Sequence, residues 1–206
     1  MDDAQICCFS REVPPTQMQL EQVAELLWLT DPLIYPAMMT LDAAKQLFPV
    51  LFWSSKDAMF NFSNLLVAMV NEEVVGVALF CTGPLCWKSD YLKQVASIMG
   101  ITLSDSFELA ESQYFKSYDD VDPDTTSLIN LCVSSKWKGM GIGKKLMDAF
   151  IAEHTGDLEL YVLKESVPAI QLYLRCGYEL IEALDGFSVR EQKPACYKMK
   201  KFAAAT

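Results

Sequence analysis

Histidine is almost missing from this chain, with His154 the single example among 206 residues. The seven cysteines, Cys7, Cys8, Cys81, Cys86, Cys132, Cys176 and Cys196, include no Cys-x-x-Cys pair. Without histidine partners or paired cysteines a structural zinc site is excluded, and the odd number argues for reduced thiols in a reducing compartment. Long apolar runs are missing too: the longest, residues 65–70 and 74–81, are too short to cross a bilayer. The opening Met1-Asp2-Asp3-Ala4 has no basic segment leading into an apolar stretch, so a cytoplasmic protein without a membrane partner is expected. Positive charge is scarce, with 17 basic against 27 acidic residues and a formal net charge of -10. That balance disfavours nucleic-acid phosphates and anionic lipid, and fits either a cationic partner or simple solubility. Asp120-x-Asp122-x-Asp124 opens like a calcium loop, but Thr125 stands where glycine is needed and Leu131 where glutamate is needed. No metal is expected.

What the chain does have is material for a core: 51% of residues are hydrophobic and 11% aromatic. At this length a single domain over residues 1–206 can bury most of them. Residues 5–9 read as a short strand. After Pro14-Pro15, Thr16 is placed to cap a helix whose apolar stripe is Met18, Leu20, Val23, Leu26 and Leu27. Asp31-Pro32 and Tyr35-Pro36 break the chain, and residues 41–52 return to helical spacing. The β-rich runs 65–70 and 74–81 flank Asn71-Glu72-Glu73, the pattern of an antiparallel hairpin that Gly83-Pro84 ends. Residues 90–118 carry apolar positions at mixed helical spacing. Beyond them strands at 127–133, 158–163, 178–181 and 196–202 alternate with helices at 141–154 and 166–175. No internal repeat or linker interrupts this order, which predicts a mixed sheet with helices on both faces.

The most informative stretch runs from Leu131 through Cys132, Val133, Ser134, Ser135, Lys136, Trp137, Lys138, Gly139, Met140, Gly141, Ile142 and Gly143 to Lys144. A strand passes through a glycine-rich turn straight into an amphipathic helix. Such a turn suits phosphate, because glycine lets the backbone approach the anion and the first N–H groups of the helix point at it. Counting excludes two phosphate loops. Five residues before Gly143 stands Lys138 and Lys145 follows Lys144, so there is no Walker A loop; the third glycine of a dinucleotide fingerprint falls on Lys144 or Leu146.

Lys138-Gly139-Met140-Gly141-Ile142-Gly143 resembles the pyrophosphate loop of the GNAT superfamily of N-acetyltransferases, with Lys138 where arginine or glutamine is usual. A second family signature is similar to the stretch opened by Ser166, in which Ala169, Tyr173, Gly177 and Tyr178 fall in register and Ser166 replaces an asparagine. The resemblance is sharp over residues 128–181 and only architectural before them. It implies an α/β (α+β) GNAT fold: a central mixed, mostly antiparallel sheet of six to seven strands, helices on both faces, and a splayed cleft for acetyl-CoA within residues 127–182.

From the same resemblance follow an acetyl-CoA-dependent acyltransferase and a set of cofactor-binding positions. These are Leu131, Cys132 and Val133 on the strand, Lys138, Gly139, Met140, Gly141, Ile142, Gly143 and Lys144 at the loop, and Ser166, Ala169 and Tyr173 on the following helix. The strand would bulge and splay, with backbone groups of Leu131 and Val133 facing the pantetheine arm. Tyr173 occupies the place of the general acid in several relatives, and packing is its alternative role. Acetyl transfer to a primary amine of a small molecule or peptide would be direct, and the protein would be a monomer or homodimer. A base must take a proton from an ammonium at neutral pH. Glu108, Glu111, Asp119, Asp120 and Asp122 precede the strand, and Glu111 is the candidate named, against a solvated charge for each. Tyr35, Tyr114 and Tyr118 are candidates for the acceptor pocket or for packing. His154 at a helix end and Cys132 as a small apolar residue take structural readings. The competing function is a module that binds acyl-CoA without turnover.

Overall fold

The computed structural model describes residues 4–54, 59–84, 89–114, 121–185 and 195–203, leaving out the side chains of residues 112–114. Its strands are β1 (Gln5–Cys8), β2 (Leu65–Val70), β3 (Glu73–Thr82), β4 (Thr126–Val133), β5 (Leu158–Leu163), β6 (Glu179–Leu184) and β7 (Cys196–Lys201). The helices are α1 (Gln17–Thr30), α2 (Ile34–Met38), α3 (Leu41–Ser54), α4 (Ser89–Met99), α5 (Phe107–Tyr114), α6 (Ile142–Glu153) and α7 (Val167–Arg175). The strands form one seven-stranded sheet in the order β1-β2-β3-β4-β5-β7-β6. Only the β4–β5 pair is parallel; the other pairs are antiparallel.

Period-two alternation along the strands feeds two cores. On β2, Leu65 and Val67 join the helices α1, α2 and α3 on one face, while Leu66, Ala68 and Val70 join α6 on the other. Because both faces are covered, β2 reads as an unbroken apolar run rather than an alternating one. Among the fully buried side chains are Tyr35, Phe48, Phe52 and Phe60 on the first face and Tyr178 and Phe150 on the second. Burial of each is worth about 1.5–3 kcal/mol.

The expected ends hold with small shifts. Thr16 caps α1 in a reciprocal box: its Oγ1 accepts the Gln19 N–H at 3.2 Å, and Gln19 Oε1 accepts the Thr16 N–H at 2.9 Å. The hairpin turn is tighter than expected, because Val70 pairs with Glu73 and only Asn71 (φ 49°) and Glu72 (φ 67°) lie between the strands. Two consecutive positive φ values match the twist of a two-residue hairpin. Asp31 is extended, as a residue before proline prefers, and α1 ends there. Tyr35-Pro36, expected as a break, lies instead inside α2; Pro36 sits in the first turn, where its missing N–H costs nothing. Of residues 90–118, the described part, which ends at 114, holds α4 and α5. Tyr118, Asp119, Asp120 and Cys86 lie outside the described residues, as does the side chain of Tyr114.

The feature that positions the site is a gap in the sheet. Across β3 and β4, Leu79 pairs with Asn130 and Phe80 with Leu128, so Ile129 is an extra residue and β4 bulges there. Its parallel pairing to β5 stops at Leu128, opposite Leu160. Beyond that point the two strands separate.

Candidate active site

In the separated half of β4 the backbone still pairs with β3 on one side. Ser134 donates its N–H to the Val75 carbonyl at 2.9 Å, and antiparallel alternation then turns the amide groups of Cys132 toward β3 and those of Leu131 and Val133 toward the gap. With β5 gone from that side, Leu131 and Val133 present the edge of a strand with no strand beside it among the described residues. A linear ligand carrying amides can complete that edge.

The turn after β4 closes the far end. Gly139 (φ 80°) and Gly141 (φ 79°) both take left-handed backbone, and a Cβ on either would meet nothing within 4 Å. Conformation and open approach, rather than crowding, therefore account for glycine here. The first intrahelical bond of α6 runs from the Lys145 N–H to the Gly141 carbonyl at 3.0 Å. The N–H groups of Ile142, Gly143 and Lys144 precede it and have no intrahelical acceptor, so the positive end of the helix dipole is open to an anion.

These elements enclose a cleft of about 510 Å³. Of the sequence-derived positions, Leu131, Cys132, Val133, Lys138, Gly139, Gly141, Ile142, Gly143, Ser166, Ala169 and Tyr173 line it. Met140 is 52% exposed and Lys144 is paired with Asp148; neither lines the cleft. Leu29, Thr30, Trp137, Pro168 and Leu172 line it without having been singled out. Trp137 stood inside the glycine-loop stretch, and Pro168 and Leu172 inside the second signature, so those were within reach of the motif; Leu29 and Thr30 come from the far helix α1 and carry no local signal. The Trp137 Nε1 atom is buried and meets no acceptor among the described residues.

Tyr173, on α7, is 7% exposed and packs its ring 6.0 Å from that of Tyr178. Burial pushes its hydroxyl above the usual phenol range, with Cys176 and Cys132 adding to the shift. The hydroxyl therefore keeps its proton at neutral pH. Burial also raises the Cys132 thiol, against an opposing pull from Lys138, which does not favour a thiolate nucleophile there.

On the opposite wall a buried network ties α1 to β4. Tyr35 donates to Asn130 Oδ1 at 3.1 Å, Asn130 Nδ2 donates to Thr30 Oγ1 at 2.6 Å, and Thr30 donates to the Leu27 carbonyl at 2.6 Å. Tyr35 is thus a buried support and not a pocket surface. Glu111 lies on α5, 4.0 Å from Lys93, and Glu108 pairs with the same lysine at 2.6 Å; neither lines the cleft. Asp122 is exposed. His154 caps α6 with Nδ1 2.7 Å from the Phe150 carbonyl and its ring against Phe80 and Phe150, a packing role.

Solved structures share this architecture at low sequence identity. An N-acetyltransferase from Staphylococcus aureus superposes with a TM-score of 0.60 at 15% identity, covering 96% of this chain and 100% of that one. A GNAT-family acetyltransferase from Streptococcus pneumoniae gives 0.58 at 13% identity over 98% and 100% of the two chains. A GNAT-family acetyltransferase from Elizabethkingia anophelis, solved with acetyl-CoA bound, gives 0.52 at 14% identity over 98% and 99%. No curated protein sequence matches the chain. The model of the acetyltransferase (GNAT) family matches residues 20–178, and the chain belongs to that family.

Proposed function

We propose that the protein is an acetyl-CoA-dependent N-acetyltransferase acting on a primary amine of a small molecule or peptide by direct attack in a ternary complex. The observation that carries this reading is the meeting, in one cleft, of the open β4 edge at Leu131 and Val133 with the open N–H groups at the start of α6. The first matches the amides of a pantetheine arm and the second a pyrophosphate. The residues present fit the cosubstrate, whose thioester supplies an activated acetyl group when bound. A backbone N–H on the open edge of β4 stabilises negative charge developing on the carbonyl oxygen. Tyr173 gives its hydroxyl proton to the departing sulfur and is restored by a proton leaving the amine nitrogen, so that one proton is released overall from an ammonium acceptor.

The test is a panel of polyamines, aminoglycosides, amino acids and peptides scored by thiol release from acetyl-CoA. Acetyl-CoA-dependent release with at least one amine is the expected result. Tight acetyl-CoA binding without turnover of any acceptor would instead favour a binding module.

A further inference from the structure

The bulge in β4 changes which residues belong to which face of the sheet. Leu128 packs in the second core and Ile129 in the first, as alternation requires. Asn130 then stays on the first face, where its side chain meets Tyr35 of α2 and Thr30 of α1. From there alternation resumes with its parity changed: Leu131 and Val133 pack against the second core and Cys132 against the first. The backbone carries the same change. Before the bulge the odd positions face β3, since the Gly83 N–H reaches the Thr125 carbonyl at 2.8 Å. After it the even positions do, since the Ser134 N–H reaches the Val75 carbonyl at 2.9 Å.

Without the bulge, the first register would run on to the end of β4. Leu131 and Val133 would then turn their amides to β3, those of Asn130 and Cys132 would face the gap, and the side chains would change faces with them. For Leu131, Cys132 and Val133 that exchange costs little, because each is apolar and a hydrophobic core covers either face. Asn130 is different. In the bulged register its amide is satisfied at both ends: the Tyr35 hydroxyl donates to Oδ1 at 3.1 Å, and Nδ2 donates to Thr30 Oγ1 at 2.6 Å. Asn130 is 2% exposed and Tyr35 1%, so water does not reach these groups. In the flat register the amide leaves both partners behind, and a buried amide and a buried phenol lose their bonds together.

We infer that Asn130 is a positioning residue that locks β4 in its bulged register, and so decides that Leu131 and Val133 turn their amides to the gap. It acts through Tyr35 and Thr30 and does not itself line the cleft. Thr30 does line it, so the bond that fixes the register also holds the end of α1 beside the open edge. Only the consequence for acetyl-CoA rests on the N-acetyltransferase reading above.

Two variants test the lock. Asn130→Leu removes the amide and suits either core, while Tyr35→Phe deletes one hydroxyl, leaves β4 unchanged, and decides the matter if the first variant does not fold. Amide hydrogen exchange followed residue by residue by NMR reads the register without any ligand. In the unchanged protein the Cys132 N–H, turned to β3, exchanges slowly and those of Leu131 and Val133 exchange fast. In Asn130→Leu that order is expected to reverse. In Tyr35→Phe the Cys132 N–H is expected to exchange at least about tenfold faster while the β2–β3 ladder keeps its rates. Acetyl-CoA affinity, measured by calorimetry, is expected to fall at least about tenfold in Asn130→Leu. An unaltered pattern across residues 130–133 in both variants overturns the lock, and so does a faster Cys132 N–H that the β2–β3 ladder matches, which is loss of global stability alone. A reversed pattern with unchanged acetyl-CoA affinity overturns the link between register and ligand. If the unchanged protein binds neither acetyl-CoA nor CoA, the N-acetyltransferase reading falls, and the exchange pattern still decides the lock.

Discussion

A phenol that burial keeps protonated can act as an acid, and one buried against another ring can equally be packing; Tyr173 meets both descriptions. Tyr173→Phe separates them by deleting the hydroxyl and keeping the ring. Acetyl-CoA affinity should move by less than about tenfold, or ~1.4 kcal/mol. The kcat should fall ~100-fold to ~10,000-fold, the usual cost of losing a positioned acid, and steady-state kinetics with a working acceptor would read it directly. An unchanged kcat would leave Tyr173 with packing alone. Gly143 offers a second single-residue contrast. A Cβ there meets Leu172 at 3.4 Å and Val133 at 3.8 Å, both ordinary contacts, so Gly143→Ala should fold without loss of stability. The added methyl nevertheless stands at the open amides of α6, and acetyl-CoA binding should weaken by roughly 10- to 100-fold, the worth of charge-assisted bonds to an anion. Lys138→Ala should weaken binding far less when both are titrated by calorimetry. Equal losses would show that side-chain charge, not backbone amides, holds the phosphates.

Among the elements, α1 does two jobs that can be uncoupled. Its N-terminus is fastened by the Thr16–Gln19 box, about 14 residues of helix away from the end that walls the cleft. Thr16→Ala should cost ~1 kcal/mol of stability, which lowers Tm by roughly 2–4 °C in a chain of this size. The acetyl-CoA KM should stay where it was. A change in KM comparable to that of Gly143→Ala would mean that fraying at Thr16 is felt at Thr30, and that the Asn130 network does not isolate the cleft. The start of α1 was legible because Thr16 and Gln19 stand three apart before an apolar stripe, a signal contained in one turn of chain. The helix α2 was not legible: two prolines within five residues, Pro32 and Pro36, read as punctuation. Only the packing of Ile34, Tyr35, Ala37 and Met38 into the core makes that short segment helical.

For the molecule as a whole, the cleft joins β4, α6, α7 and α1, so a ligand that fills it should stabilise them together. Acetyl-CoA should raise Tm: a ligand binding only the native state adds ~2.7 kcal/mol at a hundredfold excess over Kd. At roughly 2–4 °C per kcal/mol that is about 5–10 °C by calorimetry or dye fluorescence. No change with acetyl-CoA or CoA at millimolar concentration would remove the functional content of the cleft. Two cores on opposite faces of one sheet explain how the gap is tolerated. α1, α2 and α3 hold β4 on one face, α6 holds β2 and β3 on the other, and neither core needs β4 and β5 to stay joined beyond Leu128.

Sequence by itself determined the parts whose causes are local. The glycine turn of Gly139 and Gly141 requires left-handed backbone, the α7 signature sets Ala169 and Tyr173 on one helix, and the apolar runs mark β2, β3 and β5. Each is written within a few turns of chain, where steric preference and periodicity act. The tertiary structure decided what distant segments do to one another. It put Thr30 and Tyr173 in the lining of one cleft, tied Lys93 to Glu108 and set Glu111 beside it, outside the cleft lining. No local rule could give either result: which cleft a residue lines and whether a carboxylate is paired depend on what the fold brings within a few ångströms, and Thr30 meets loop and helix residues that lie far away along the chain.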